Sequence, residues 1–316
     1  MKSAARTVDL LELMAARGNE PARLRELSDA LGAPRSSIYA LLRTLVERGW
    51  VRTDVTGTWY SIGIQALLAG TTYLDFDPFL RIVQPQINDL SVQLDETIHY
   101  GRLQRTDIVY LATHESSQYL RPFSRVGRTL PAFSTAMGKV LLAERLPAGP
   151  VADGGGEAGS GGTGSGGASA VGQGRVDEGR VGEGPLGEGP VVYVSEVADS
   201  VVADSAGSGT LAAHLPARLT PLTRNTIVDR RALVQDLEAV RRRGYAVDRE
   251  ENLEGVVCFA VALRFASPPS DAISCSVPVE RLHEGRETEI VEALRRTKYA
   301  IERMAPAPSF REHPWT

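Results

Sequence analysis

The chain has little of the residues and segments that define several broad classes of protein. It has two cysteines in 316 residues, which argues against a disulfide-stapled secreted scaffold and fits a reducing compartment. No stretch approaches the roughly 18 continuous apolar residues of a membrane helix. Asp9 and Glu12 interrupt the apolar run that a signal peptide would need near the N-terminus. These absences predict a cytoplasmic protein without a membrane partner.

The sequence also lacks the motifs of common cofactor and catalytic sites. Its five histidines show no paired spacing for a metal ion, and its glycine-rich stretch lacks the strand-to-helix context of a nucleotide-binding loop. Cys258 lies in an apolar run without a neighbouring base that would activate its thiol. We therefore expect no metal, no cofactor and no catalytic residue. A small hydrolase that uses His99 and Cys258 remains an alternative, as does a ligand-binding protein that does not bind DNA.

Charge is distributed unevenly along the chain. The formal net charge is −4, but residues 149–217 hold nine acidic residues and two arginines, so the remainder carries 33 basic and 30 acidic residues, or +3. The first 62 residues contain nine basic and seven acidic side chains. This balance permits nucleic-acid binding without demanding it.

A glycine-rich segment interrupts the second half of the chain. Between residues 149 and 189, 17 of 41 residues are glycine. Such a composition cannot bury enough apolar surface to offset the entropy lost on ordering. We predict a disordered insertion over about residues 149–217, and a flexible tail over residues 305–316.

The first 62 residues have the pattern of a winged helix-turn-helix. An apolar residue recurs at helical spacing between Pro34 and Gly49, which suit the start and end of a helix. A second amphipathic helix lies directly upstream and ends at Gly32. After these helices, "WVRTDVTGTWYSIG" alternates around Thr56-Gly57, which predicts a β-hairpin that would form the wing.

In such a module, the N-terminal residues of the second helix meet base edges and phosphates. The alternative is the solvated outer face of an ordinary three-helix bundle, and the predicted wing favours DNA binding. We predict that double-stranded operator DNA contacts the residues opposite the apolar face of this helix: Arg35, Ser36, Ser37, Tyr39 and Arg43.

The remainder of the chain predicts a mixed α/β domain of the α+β type. "TIHYGRLQRTDIVYLATHES" predicts two strands, and "STAMGKVLLAERL" predicts a helix capped by Ser134. "GVVCFAVALRF" and "DAISCSVPV" predict a hairpin with its turn centred between residues 268 and 269. Symmetric pairing would place Cys258 opposite Val279, too far from Cys275 for a disulfide. An antiparallel sheet with flanking helices is the expected architecture.

Two sets of motifs resemble the IclR family of transcriptional regulators. The first set is "LRELSDALGAPRSSIYALLRTLVERGWV" with "YSIG"; the second is "GRTLPAFSTAMGKVLLAE", "RRRGYAVDREENLEGVVCFAVAL" and "ISCSVP". The resemblance implies a DNA-binding domain over residues 1–62, a linker helix over 63–77 and a GAF-like effector-binding domain over 78–304. It further implies homodimers, often paired into homotetramers. The family's usual histidine-arginine pair is replaced here by Tyr39-Ala40, so the operator cannot be inferred from relatives.

The resemblance also implies which positions line the effector site, and the sequence adds the N–H groups of residues 136–138 as candidate donors at a helix start. No lysine or arginine occupies a matched position, so we expect a small effector with hydroxyls and at most one carboxylate, such as a sugar, polyol, sugar acid or hydroxy acid. The alternatives are a turn residue at position 248 and a small core residue at position 258. The candidate effector-binding residues are Tyr119, Pro122, Ala136, Met137, Gly138, Asp248, Cys258, Ser274 and Ser276.

Overall fold

A computed structural model describes residues 2–18, 20–118, 126–147 and 210–305. The chain divides into two compact units, and the boundary between them follows Leu68. This boundary lies inside the helix Ile64–Phe76 (α4), which falls within the linker helix predicted over residues 63–77. Among the described residues, no helix combines the length and the apolar character needed to cross a bilayer.

The first unit is a winged helix-turn-helix, as predicted. A tight connection joins its second and third helices, where Gly32 adopts a positive φ of 55° and the Ser28 hydroxyl donates to the Ala33 carbonyl at 2.6 Å. A three-stranded antiparallel sheet in the order β1-β3-β2 extends the predicted hairpin by one short strand. The elements are α1 Lys2–Ala16, β1 Ala22–Arg23, α2 Leu24–Ala30, α3 Arg35–Glu47, β2 Val51–Thr53 and β3 Trp59–Ile62.

The second unit is a six-stranded antiparallel sheet with helices on both faces, which confirms the predicted fold class. The strand order is β6-β5-β4-β9-β8-β7. Helices α5 and α8 bury one face, and α6 and α7 bury the other. The elements are α5 Leu80–Leu94, β4 Thr97–Gln104, β5 Asp107–His114, β6 Thr129–Pro131, α6 Ala136–Ala143, α7 Arg230–Arg243, β7 Ala246–Arg249, β8 Val256–Leu263, β9 Asp271–Pro278 and α8 Arg286–Met304.

The register of the β8–β9 hairpin differs from the prediction. Cys258 lies opposite Ser276 and not opposite Val279. The connection over residues 264–270 is anchored by Phe265, which is buried and stacks on Phe79 with ring centroids 4.0 Å apart. The centre of the turn therefore lies at residue 267. Because this anchor comes from another part of the chain, the local sequence does not reveal it.

Residues 148–209 and 306–316 lie outside the described part of the chain, so most of the predicted insertion and nearly all of the predicted tail do too. The predicted end of the insertion at residue 217 is too late. Leu211–His214 forms a short 3₁₀ helix, and Leu211 and Leu215 pack against the core beneath α6 and α7. The Leu211 N–H also donates to the Arg145 carbonyl at 3.2 Å.

Helix α6 begins one residue later than predicted. Thr135 is its cap, with Oγ1 accepting the Gly138 N–H at 3.1 Å, whereas the Ser134 hydroxyl donates to the Pro131 carbonyl at 3.2 Å. Gly138 also permits close packing, because a Cβ atom there would lie 1.9 Å from the Ala132 carbonyl oxygen. The start of α6 is thus fixed by a cap and by a backbone contact that excludes a side chain.

Gly138→Ala is expected to lower the free energy of unfolding by about 1–3 kcal/mol, because overpacking forces the backbone of residue 132 to move. The matched control is Gly70→Ala in α4, where a Cβ atom meets nothing within 4 Å and helix propensity favours alanine. Urea unfolding of both variants measures the difference. Equal stability of Gly138→Ala and wild type would contradict the packing described here.

Candidate functional site

The exposed face of α3 gathers most of the predicted DNA-contacting residues. Ile38, Leu42 and Leu45 are buried in the core of the first unit. The opposite face is open to solvent, and Tyr39 is 52% exposed there. The other exposed members of this face are Arg35, Ser36 and Arg43. One helical face therefore carries two cations, a hydroxyl and a phenol.

Ser37 is less accessible than its neighbours on α3. It is half-buried, and its Oγ accepts a hydrogen bond from the Arg6 guanidinium of α1 at 3.2 Å. Arg43 lies 3.6 Å from the Glu47 carboxylate, an exposed pair that contributes little to stability. Arg6 had not been predicted at this surface, because nothing in the local pattern of α1 shows that it packs beside the start of α3.

On the second unit, the sheet face beneath α6 carries a row of polar residues, here called the polar row. The register places Asp248 of β7 opposite Cys258 of β8, Cys258 opposite Ser276 of β9, and Ser276 opposite Thr97 of β4. Residues opposite one another on neighbouring strands point to the same face. Three of the predicted effector-binding residues are thus adjacent, and Thr97 joins them.

A second row lies two residues further along the strands and contains Ser274 and His99. His99 Nδ1 is 3.0 Å from Thr113 Oγ1, and the His99 ring meets the Tyr110 ring edge-on at 5.1 Å. Burial, with a smaller effect of the Arg128 charge, lowers the pKa of His99 to about 3. The imidazole is therefore neutral at pH 7. Within the described residues, the Ser274 and Tyr110 hydroxyls have no hydrogen-bond partner.

The start of α6 packs over this face. The three N–H groups predicted there as donors to an effector, those of residues 136–138, have different surroundings. Ala136 and Met137 are buried against the sheet. Gly101 of β4 leaves room for the Met137 methyl group, since a Cβ atom there would lie 3.1 Å from Met137 Cε. The Gly138 N–H is already bonded to Thr135, so we correct the expectation that it is free for a ligand. Tyr119 and Pro122 lie outside the described residues.

Neither cysteine has the environment of a nucleophile. Cys258 Sγ lies 3.1 Å from Ser276 Oγ, and burial together with the Asp248 carboxylate raises the pKa of this thiol. Cys275 pairs with Phe259 and points to the opposite face, and both thiols are free. The absence of a disulfide thus follows from the alternation of side chains and not from the separation along the strands that the sequence suggested. Within the described part of the chain, no group of three or more His, Cys, Asp or Glu residues is suited to a metal ion.

Asp248 lies at the edge of a buried group of charges. Its Oδ1 accepts the N–H groups of Glu251 at 2.7 Å and Asn252 at 3.4 Å. Lys139 of α6 is also buried, and its Nζ is 2.5 Å from Glu251 Oε1 and 2.9 Å from Asp236 Oδ2. Burial first, and the Glu251 carboxylate second, raise the pKa of Asp248 to about 7. The group is therefore poised to gain or lose a proton near neutral pH.

Comparison with known proteins identifies the family. The model "IclR helix-turn-helix domain" matches residues 3–55, and "Bacterial transcriptional regulator IclR C-terminal" matches residues 71–148 and 192–303. This chain belongs to the IclR family of transcriptional regulators. Its members are DNA-binding regulators and not enzymes, which removes the hydrolase alternative. The family pattern resumes at residue 192, so the segment without a counterpart in the family is shorter than the predicted insertion.

Individual relatives of this regulator are similar to it along most of its length. HTH-type transcriptional regulator Rv1719 of Mycobacterium tuberculosis is 28% identical over 92% of the chain and 87% of its own length. The transcriptional repressor IclR of Escherichia coli is 25% identical over 92% and 84%. An IclR homologue from Microbacterium hydrocarbonoxydans, solved in complex with 4-hydroxybenzoate, has a TM-score of 0.61 at 17% identity and covers 95% of this chain and 98% of its own.

Several residues of the regulator's second unit were missed by sequence reasoning. His99 and Thr97 alternate on β4, but only the pairing of β4 with β9 shows that they share a face with the two serines. Lys139 could have been found from the sequence, because a single cation within the apolar helix "AMGKVLLA" requires a buried partner of opposite charge. That partner, Glu251, is 112 residues away in sequence.

Asp248→Asn is expected to change the pH dependence of stability. Because the pKa of Asp248 is raised in the folded state, folding binds a proton between about pH 4 and pH 7. The contribution of Asp248 to the free energy of unfolding therefore falls as pH rises, by up to about 1.4 kcal/mol per pH unit. Asparagine does not titrate, so the free energy of unfolding of the variant, measured in urea, should increase relative to that of wild type between pH 5 and pH 8. Asp229→Asn, at the exposed start of α7, should give a constant offset. A constant offset for Asp248→Asn as well would contradict the assignment.

Proposed function

We propose that this IclR-family regulator binds a partly palindromic operator through α3 and responds to a small organic effector held over the polar row. The observation that carries the proposal is the polar row itself, a set of buried polar side chains on the sheet face beneath α6, in a chain that also has a winged helix-turn-helix. Asp248 Oδ2 and the Ser274 hydroxyl lack hydrogen-bond partners among the described residues, and buried polar groups are ordinarily paired. A ligand with hydroxyl or carboxylate oxygens would pair them.

The operator contacts are assigned to the exposed face of α3. Arg35, at the first turn, suits a phosphate or a guanine edge, and Tyr39 lies one turn further along. Arg43 extends the same face, and Ser36 lies beside Arg35. Ser37 is proposed to act jointly with Arg6, because the two side chains are already hydrogen-bonded. This arrangement supports phosphate positioning by cations and base contacts by the residues between them.

A homodimer, and with further pairing a homotetramer, is proposed as the DNA-binding form. Helix α4 contains no buried residue among the described side chains, although its composition is strongly apolar. Ile64 and Leu67 are 61% and 59% exposed, and Phe76 is 81% exposed. Exposed apolar side chains along one helix support an interface between copies of the chain. A two-fold dimer would match the two halves of a palindromic operator.

Arg35→Ala is expected to weaken operator binding and to reduce the slope of log K against log salt by about 1, as loss of one phosphate contact requires. The operator would be selected from a random duplex library with wild-type protein, and the mass of the complex should show two chains per palindrome. Arg17→Ala is the matched control, because Arg17 pairs with Glu26 away from α3. Unchanged affinity and salt slope in Arg35→Ala would refute the interface.

The charges around the polar row indicate the class of effector. Lys139 is already paired with two carboxylates, and His99 is neutral. Arg128 is near enough for its charge to act on His99, but a di- or trianion would bring more negative charge than this one arginine balances, at a high cost in free energy. A sugar, polyol, sugar acid or hydroxy acid with at most one carboxylate fits better. The 4-hydroxybenzoate bound by the Microbacterium homologue, with one hydroxyl and one carboxylate, belongs to the same chemical class. The repressors among the relatives support repression as the action on transcription.

A panel of 4-hydroxybenzoate, D-gluconate, D-glycerate, their neutral amides, glycerol and citrate would test the effector class by thermal shift. At 100 times its Kd, a ligand adds about 2.7 kcal/mol to stability. Asp248→Ala should weaken the best ligand by about 1–3 kcal/mol and leave ligand-free operator binding intact. Asp229→Ala is the matched control and should respond like wild type. Citrate as the best ligand, or an unaltered response in Asp248→Ala, would overturn this part of the proposal.

A further inference from the structure

The buried charges beside the polar row do not balance when every carboxylate is ionised. Lys139 Nζ lies between Glu251 Oε1 and Asp236 Oδ2, at 2.5 and 2.9 Å. Lys139 is 1% exposed, and Asp248 is 2% exposed. Two buried carboxylates, Asp248 and Glu251, and the partly exposed Asp236 thus lie around one ammonium group. An anionic effector would add a further negative charge to a site that already has an excess.

The two oxygens of Asp248 have different surroundings. Oδ1 accepts two backbone N–H groups from the turn after β7, whereas Oδ2 has no hydrogen-bond partner within the described residues. This is the pattern of a neutral carboxylic acid, in which the carbonyl oxygen accepts and the other oxygen carries a proton. A protonated Oδ2 would be a hydrogen-bond donor available to a ligand over the polar row.

Burial keeps several other groups around this position uncharged, and the charged side chains near them include Arg128 and Lys139. Tyr110 of β5 and Cys258 of β8 have pKa values raised by burial, so both keep their protons near pH 7. On β4, the pKa of His99 is lowered, with burial the main cause and the Arg128 charge adding to it. On the β7–β8 turn, Glu251 is the other carboxyl with a raised pKa, although its contact with Lys139 opposes the effect of burial.

We propose that the effector is a monocarboxylate, and that its binding is coupled to uptake of one proton, which Asp248 Oδ2 donates in a hydrogen bond to the effector's carboxylate. The hydroxyls of Ser274 and Tyr110 then offer further donors to the same acceptor-rich group. The net charge of the site does not change on binding, because the negative charge of the effector's carboxylate is accompanied by a proton taken up from solvent. This inference rests on the proposed effector site and narrows its ligand class.

The expected dependence on pH follows from linkage between the two events. The pKa of Asp248 is about 7 in the free protein. The fraction of protein molecules in which Asp248 must take up a proton before the effector binds therefore rises with pH. The Kd of a monocarboxylate should increase about tenfold between pH 6 and pH 8. Net proton uptake should rise from about 0.1 to about 0.9 per site over the same range. A neutral ligand of the same shape needs no proton and should show neither effect.

Calorimetric titration of the full chain in phosphate and in Tris, whose ionisation enthalpies differ, measures both quantities. The probes are 4-hydroxybenzoate, D-gluconate and D-glycerate, each beside its neutral amide. Asp248→Asn keeps an acceptor for the two backbone N–H groups and a donor for the ligand. It should bind the monocarboxylate within a few-fold of the wild-type Kd at pH 6, without proton uptake and without the tenfold change. Glu251→Gln is the matched control, and it should retain proton uptake.

Three results would overturn the inference. The first is a monocarboxylate bound without proton uptake, and the second is a neutral amide bound more tightly than its acid at pH 6. The third is uptake that survives in Asp248→Asn or disappears in Glu251→Gln. Binding of neutral hydroxylated compounds alone would reject this inference and leave the proposed function standing. Failure of every panel compound to bind a protein that still binds its operator would reject both.

Discussion

The arrangement of the second unit depends on the antiparallel pairing of β4 with β9 at the centre of the sheet. Thr97 lies opposite Ser276, and Arg102 lies opposite Asp271. This pairing joins strands more than 160 residues apart and fixes which side chains share a face. A shift of the register by one residue would move His99 and its alternating neighbours to the other face and would dismantle the polar row. The same pairing brings together the parts of the domain on either side of the glycine-rich segment.

The two faces of the sheet hold different chemistry. Beneath α5 and α8, the core is built from apolar side chains such as Phe259, Ile273 and Val277, and the charged residues Arg102 and Asp271 lie on the same face. Beneath α6 and α7, small residues such as Ala260 and Ala272 are buried, and polar groups occupy the neighbouring positions. A ligand site combines apolar walls with a few polar groups, and the described side chains beneath α6 and α7 have this composition.

A separate ionic cluster links the end of α4 to the central strands. The Arg102 guanidinium contacts the Asp77 carboxylate at 2.6 Å, the Tyr73 hydroxyl at 2.8 Å and Asp271 Oδ1 at 2.8 Å. The Tyr100 hydroxyl also donates to Asp271 Oδ1 at 2.7 Å. Because each buried charge has a partner, the cluster satisfies the requirement that burial imposes. Strand β4 thus carries Thr97 of the polar row on one face and the anchor of α4 on the other.

Much of this protein was determined by the sequence itself, because helical periods, caps and strand alternation are local properties. The recognition-helix face with Arg35 and Tyr39, the β4–β5 hairpin and α7 with its Gly244 end all follow from residues close together in the chain. Features that depend on residues far apart in the chain were decided only by the tertiary structure. The β8–β9 connection holds Phe265 against the distant Phe79, and the positions of His99 and Thr97 were set by the pairing of β4 with β9. The raised pKa of Asp248 arises from burial and from Glu251. Burial and nonlocal pairing exist only once the chain has folded, so no local pattern encodes them.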